Sequence, residues 1–519
     1  MNQKWWTLIA VAVGVFMLLV DITIVNVALP DIERALHASL GDLQWVLDAY
    51  ALSLAALLLT AGSLADRFGR RLLFAIGIVV FTAGSLLCGL AGDPTFLALA
   101  RAGQGVGGAL MFATALALLS GAYSGRDRGV AFGVFGAVTG VAVAVGPVLG
   151  GILTSGISWR WIFFVNIPIG VVALAITLTR VVESRDPHPR RLDWIGFLTF
   201  SLGLAGLVYG LIRSHADGWG ATNVAGSLIA AAVLLVAFVV AERVQREPMF
   251  DLGLLRKPAF VGGLVAAFAV SASIFSLLTY LVLYVQNVLG YSAVEAGVRF
   301  LVFSGVIFFC AGIAGRATGR VPARLLIGPG FALVGAGLLL MRGITPESGW
   351  THLIPGFIVA GIGTGLINVP LASAAVSVVE PARAGMASGV NSTFRQVGIA
   401  TGIAALGSIF ASKVSDTVAV ALAGTPLSGR ASALGDAVAD GAVAQAIAST
   451  PASAHQLLAR AANQGFIDGL NSILLIGAVV AFLAGVASLV LIRERDFVVA
   501  PAREAAPGAA RDEPVAVAA

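Results

Sequence analysis

Three ionisable residues stand where charge is costly. Asp21 lies in VFMLLVDITIVNVALP, Asp48 in LQWVLDAYALSL and Arg101 in LALARAGQGVGGAL. An acid or a guanidinium inside an apolar stretch is a functional candidate by default. At helical rise, Asp21 lies ~22 Å from the start of its run at Trp6, and Arg101 ~8 Å from the far end of its run, at Phe96. Asp48 lies about as deep, so the three share one level in the outer half of a ~30 Å apolar core. Desolvation favours the protonated form of a carboxyl, and a neighbouring guanidinium favours the ionised one. Asp21 beside Arg101 would therefore suit reversible proton binding; the plainer use of the same pair is an ion pair locking two helices. Asp48 is open to three uses: a second acid, a contact for cationic substrates, or a residue at the external mouth. Gln104, one turn from Arg101, extends that polar face, and Asn26 is a further polar residue of the first run. Arg395 sits near the end of its run, where snorkelling to headgroups accounts for it.

The elements that carry these residues follow from composition. Of 519 residues, 58% are hydrophobic and 11% charged. A soluble domain carries about 25% charged residues, so a soluble enzyme is excluded. Apolar runs recur along nearly the whole chain, which excludes a single-anchor receptor. A spanning helix takes ~20 residues. The runs read as 6–29, 43–64, 72–92, 95–119, 130–154, 160–180, 194–213, 222–241, 259–284, 292–315, 324–342, 352–373, 388–411 and 467–491. The fold class is an all-α polytopic membrane protein with fourteen transmembrane helices. The first run continues through Asp21 without a cleavage site, so it reads as a span rather than a signal peptide. The two cysteines, Cys88 and Cys310, sit in apolar runs and allow no metal pattern. With five histidines, no nucleophile motif and no phosphate-binding GxxxxGK[ST], neither enzyme chemistry, a metal nor a cofactor is expected.

Lysine and arginine set the orientation. One set of loops carries roughly 22 of them, the other 8. By the positive-inside rule the richer set, with both termini, is cytoplasmic. The net charge of +5 thus reports topology, and no nucleic acid is implied. Residues 1–180 form one six-helix bundle, 181–258 a linker with two extra helices, and 259–493 a second bundle. The second bundle includes an external loop over 412–466, and 494–519 is a disordered cytoplasmic tail. An internal repeat supports this six-plus-two-plus-six plan: GRRLLFAIG from Gly69 against ARLLIGPG from Ala323, and GVAFG from Gly129 against GMASG from Gly385. The same register sets Gly146 against Gly402.

Several motifs then line up. GSLADRFGRRLLFAIG follows span two, with Gly62, Asp66, Arg67, Gly69, Arg70 and Arg71; a nearby Arg126-Asp127-Arg128 run would complete an ion-pair network, Arg128 included. A positive-inside loop explains the arginines but not their order. Span five places Gly129, Gly133, Gly136, Gly140, Ala144, Pro147 and Gly151 on one smooth face, suited to close helix contact. The loop segment resembles the signature between spans two and three of the major facilitator superfamily. VDITIVNVALPDI from Val20, ARAGQGVGGAL from Ala100, WRWIFFVNIPIG from Trp159 and STFRQVGIATG from Ser392 resemble its fourteen-span drug:proton antiporters, the EmrB/QacA type. GPVLGG (Gly146, Pro147, Gly150, Gly151) is similar to their fifth-span antiporter signature. The repeated loop motif, GRATGRVPARLL from Gly315, departs by lacking the acid.

The resemblance implies two six-helix bundles of the major facilitator fold around two central helices. It implies proton coupling through Asp21 and Arg101, with span five governing closure. The expected activity is proton-coupled antiport. It would export hydrophobic, often cationic drugs or toxic small molecules by alternating access across a bacterial cytoplasmic membrane, the chain acting as a monomer with a proton gradient in place of any cofactor. The alternative is export of a lipid or a natural product such as an antibiotic on the same fold.

Overall fold

The computed structural model describes residues 3–38, 40–123, 125–185, 193–245, 248–439 and 443–498. Its long helices are α1 (Gln3–Leu36), α2 (Leu40–Phe68), α3 (Arg70–Gly89), α4 (Pro94–Ala122), α5 (Gly125–Gly156), α6 (Trp161–Arg180), α7 (Trp194–Asp217), α8 (Thr222–Val244), α9 (Pro258–Val288), α10 (Ala293–Ala317), α11 (Ala323–Met341), α12 (Ile354–Ser377), α13 (Ala384–Leu422) and α14 (His455–Leu491). Among the described residues, thirteen of these contain a stretch long and apolar enough to cross a membrane. The remaining one, α5, runs lengthwise between α1 and α10. No strand occurs among the described residues. The fourteen helices match the fourteen apolar runs, and both described chain ends lie on one face, here the terminal face.

Helix starts are set by carboxylates and hydroxyls that satisfy first-turn amides. Asp93 accepts from Phe96 N (2.9 Å) just before Pro94. Ser292 and Glu295 form a reciprocal box at α10. Two starts are capped from afar. The Glu183 carboxylate accepts from Arg71 N and Leu72 N at α3, at 3.0 and 3.1 Å. Asp496 accepts from Ala259 N at α9, at 3.1 Å. The segments that follow α6 and α14 are thereby tied to the terminal face.

Two helix crossings join the first six helices to the last six, and both rest on glycine. Gly62 of α2 lies so close to Gly385 of α13 that a methyl added to either would strike the other's carbonyl oxygen. Gly129 of α5 and Gly315 of α10 stand in the same reciprocal relation. These four are equivalent positions of the internal repeat: Gly62 with Gly315, and Gly129 with Gly385. The α5–α10 contact continues through Gly133, Gly136 and Gly140 to Gly151, which packs on Val294. The smooth face expected of span five therefore meets α10 along its length. The side chains of Ala144 and Pro147 lie outside the described residues.

Span five also has a second glycine face. Gly146 and Gly150 pack on α1 at Val20, Thr23 and Ile24. Gly402, the repeat partner of Gly146, packs on Ala272 and Ser276 of α9 in the same way. There α9 is loosened by a π-helical turn at Ser271–Phe275, and Ser276 Oγ donates to Ser271 O (2.9 Å).

The central helices cover a seam. Leu204 and Val208 of α7 are buried with Ala55 of α2 and pack against Val397 and Ala400 of α13. Phe238 of α8 joins Leu59, Met386 and Val390. The linker thus seals one side of the α2–α13 crossing.

The expected loop over 412–466 is shorter than the sequence suggested. Helix α13 runs on to Leu422 and α14 begins at His455. Val414, Val418 and Leu422 bury themselves in one cluster with Leu458, Ala461 and Ala462, so a helical apolar face continues where overall hydropathy falls. Between them lie two short helices, Ala431–Ala439 and Val443–Ala448. Of the expected tail, 499–519 lies outside the described residues.

Candidate functional site

The polar residues of α1, α3, α4 and α6 meet at one sealed point. Arg101 Nη1 donates to Asp21 Oδ2 at 2.5 Å, with side-chain exposures of 1% and 0%. Gln104 Nε2 and Asn166 Nδ2 each donate to Asp21 Oδ1 at 2.9 Å. The same two amides also reach Ser85 Oγ, at 2.7 and 2.9 Å. Arg101 further donates to Gln104 Oε1 (2.8 Å) and Val46 O (3.2 Å). Its guanidinium lies over the Tyr50 ring, 4.1 Å from the centroid. The carboxylate therefore has three donors and one formal counter-charge. A buried ion pair of this kind holds only when its remaining hydrogen bonds are met, and here they are.

Asp21, Arg101 and Gln104 come together as the sequence suggested. Asn166 and Ser85 complete the cluster without having been singled out. Asn166 stood in the quoted WRWIFFVNIPIG segment, an intramembrane amide in a named motif, and that was the available signal. The side chain of Asn26 lies outside the described residues. Asp48 does not join. Helix α2 passes level with Arg101 at Val46, but the charge acting on half-buried Asp48 is Arg213 of α7.

The loop motif forms a second site at the terminal face. Asp66 is bonded by Arg70 through Nε (3.0 Å) and Nη2 (2.8 Å). It also accepts from Gly385 N (2.9 Å) and Met386 N (2.8 Å), the first amides of α13. Arg70 Nη2 continues to Pro381 O (2.6 Å) and Ala382 O (3.1 Å). An acid at a helix N-terminus meets both unpaired amides and the positive end of the helix dipole. Gly69 turns the chain at φ +118°, and a side chain there would collide with Glu183. Arg71 donates to Leu178 O at 2.5 Å, and Arg67 stacks near Phe68. The equivalent α5–α10 crossing has Gly319 where Asp66 would stand, so among the described residues only the α2–α13 crossing carries this carboxylate clamp.

Arg128 is a correction. It was expected in this network, but its Nε and Nη2 have no hydrogen-bond partner, and it lies near Phe132 instead. Asp127 pairs with Lys4 at 2.5 Å. The amides of α13 supply what a second charge cluster was expected to supply. Next to that pair, Tyr123 donates to Lys4 O (2.7 Å); burial, then the Asp127 charge, push its phenol up to about 12.

Arg395 is a second correction. Helix α13 starts at Ala384, four residues earlier than the apolar run suggested, which puts Arg395 ~16 Å along the helix, near mid-membrane. It bonds Asn368 Oδ1 of α12 at 3.0 Å rather than snorkelling to headgroups.

Comparison with known proteins decides the family. The model of the Major Facilitator Superfamily matches residues 11–403. The chain belongs to that superfamily. It is 37% identical over 413 residues to Multidrug resistance protein Stp of Mycobacterium tuberculosis, covering 79% of this chain and 77% of that one. It is 34% identical over 493 residues to the Tetracenomycin C resistance and export protein of Streptomyces glaucescens, covering 94% and 91%. Among solved structures, the human organic anion transporter MFSD10 shares the fold with a TM-score of 0.61 at 13% identity, covering 94% of this chain and all of that one.

As a major facilitator, the chain is a multi-pass membrane transporter of the drug-efflux type. Its helices leave a sideways groove of about 600 Å³ between α2, α4 and α7, lined by Trp45, Ser53, Leu57, Leu99, Ala102 and Leu202. The lining is almost wholly apolar, with Asp42 its one charged residue.

Proposed function

We propose that the chain is a proton-coupled antiporter that exports hydrophobic small molecules of the antibiotic type from the bacterial cytoplasm. The observation that carries this reading is the sealed Asp21–Arg101 pair: a carboxyl with a counter-charge and two amide donors, out of contact with bulk solvent. A proton reaching Asp21 cancels its charge, releases the hold on Arg101 and alters how α1 packs on α4 and α6. Because Gly146 and Gly150 of α5 seat on the turn of α1 that carries Asp21, that change passes directly to the helix that meets α10. Loss of the proton on the cytoplasmic side restores the pair and resets the cycle.

In this reading the terminal face is cytoplasmic, in line with the arginine distribution, and the described state is closed there by Asp66 and Arg70. The bundles 1–180 and 259–493 rock about the two glycine crossings, and the chain works as a monomer. The names of the relatives, drug resistance and tetracenomycin C export, and the apolar groove support a lipophilic natural product as cargo.

The deciding experiment uses proteoliposomes with an imposed pH gradient and a panel of lipophilic dyes. Asp21→Asn should fold, bind dye and lose gradient-driven export. Full export by that variant would refute the coupling role.

A further inference from the structure

The structure holds a second intramembrane guanidinium, and it is treated differently from the first. Arg101 is neutralised by Asp21 and surrounded by acceptors. Among the described residues, Arg395 bonds the neutral Asn368 Oδ1 and no carboxylate acts on it. On α13, and on Asn368 itself, polar atoms are buried without partners. Asn391 is 1% exposed with neither Nδ2 nor Oδ1 bonded, and Ser388 Oγ, Thr393 Oγ1 and Asn368 Nδ2 are unbonded too. Ser388, Asn391 and Arg395 recur at three and four residues, so they share one face of α13. Helix α13 meets α2 and α4 of the first half, and α12 meets α4 and α5, so this cluster lies on helices that change partners when alternating access opens and closes.

Buried polar groups in native proteins are nearly always bonded, and buried charges are paired. A cation with vacant amides beside it, in a protein that pairs its fully buried arginines, Arg70 and Arg101, with carboxylates, marks a site completed from outside. The groups offered are a planar guanidinium fork and two amide groups. That set suits an anionic oxygen group, the fork taking it with two parallel bonds. We propose that Arg395, with Asn368 and Asn391, binds the carboxylate, enolate or phenolate of a lipophilic cargo. The cationic cargo first expected from the sequence would meet repulsion here. The identification of the ligand as cargo rests on the export reading; the binding chemistry does not.

Direct binding to the full-length protein in detergent, without any gradient, separates the two. The probes are dansylglycine, a carboxylate, and dansylglycinamide, the same body uncharged, followed by dansyl fluorescence. Wild type should bind the carboxylate roughly tenfold or more tightly, as a charge-assisted bond implies. Arg395→Gln should reduce the preference to within about twofold while still binding the amide, and Arg395→Lys should keep part of it. Asp21→Asn should retain the full preference, so failure of proton coupling would leave this result standing. Should Arg395→Gln not survive purification, the wild-type preference and its reduction in Asn391→Ala decide. Equal wild-type binding of the two probes, no saturable carboxylate binding, or an undiminished preference in Arg395→Gln overturns the assignment.

Discussion

At the residue scale, the Asp21 cluster is a closed set of bonds in which each member has a separable part. Arg101 supplies the counter-charge, so Arg101→Ala leaves a carboxylate buried without one. Breaking a buried pair by removing one partner costs about 3–5 kcal/mol, and thermal unfolding in detergent should show a fall of several degrees. Its transport should also lose its dependence on pH; an unchanged pH profile would remove the pairing argument. Asn166→Ala removes one neutral donor from Asp21 and one from Ser85. A loss of about 1–3 kcal/mol is expected, with export retained but its pH profile displaced, because the counter-charge stays in place.

At the scale of elements, the glycine crossings determine what can move. A methyl at Gly385 would come within 2.5 Å of both Gly62 O and Asp66 Oδ1. Gly385→Ala should therefore fold yet fail to close the terminal face. Gly263→Ala is the control, since its added methyl meets nothing within 4 Å and alanine favours the helix by up to about 1 kcal/mol. Loss of export in the first and normal export in the second is the expected outcome; equal activity in both would dismiss the crossing as a gate.

The linker helices offer a separate test. Asp193 Oδ2 and Glu242 Oε1 are both buried and unbonded, and a methyl at Gly196 would strike both. Two carboxyl oxygens facing each other with no donor between them repel. Glu242→Gln puts an amide donor between them while keeping the acceptor for Phe250 N. It should raise the melting temperature, whereas Glu242→Ala should lower it; the reverse order would contradict this account.

At the scale of the whole molecule, the clamp is asymmetric. Both crossings have matched glycines, but among the described residues only α2–α13 has a carboxylate bonded across it, at the start of α13. Asp66→Asn removes the charge that holds Gly385 N and Met386 N and pairs with Arg70. Charge-assisted bonds contribute about 1.5–3 kcal/mol, enough to move the equilibrium between closed and open terminal faces by roughly tenfold or more. Spin labels at Phe68 and Glu380, both exposed, should report a longer distance in the variant. An unaltered distance distribution would mean that glycine packing alone holds the face shut.

Hydropathy alone dictated fourteen helices, and the type of residue alone marked Asp21 and Arg101, because a charge in an apolar run stands out without coordinates. Gln104 was legible from its one-turn spacing. Asn166 showed only as an amide within a named motif, and Ser85 and Glu242 not at all, since a polar side chain's partner on another helix leaves no trace in local order. Arg395 was misplaced because its depth depends on where α13 begins, and that start is fixed by Asp66, more than three hundred residues earlier. The long ends of α13 and α14 escaped notice for the same reason: their apolar faces bury against each other, not in lipid. Local chemistry sets which segments become helices and which charges are costly. Which face each helix turns toward its neighbours is decided by contacts between distant residues, and only tertiary packing supplies those.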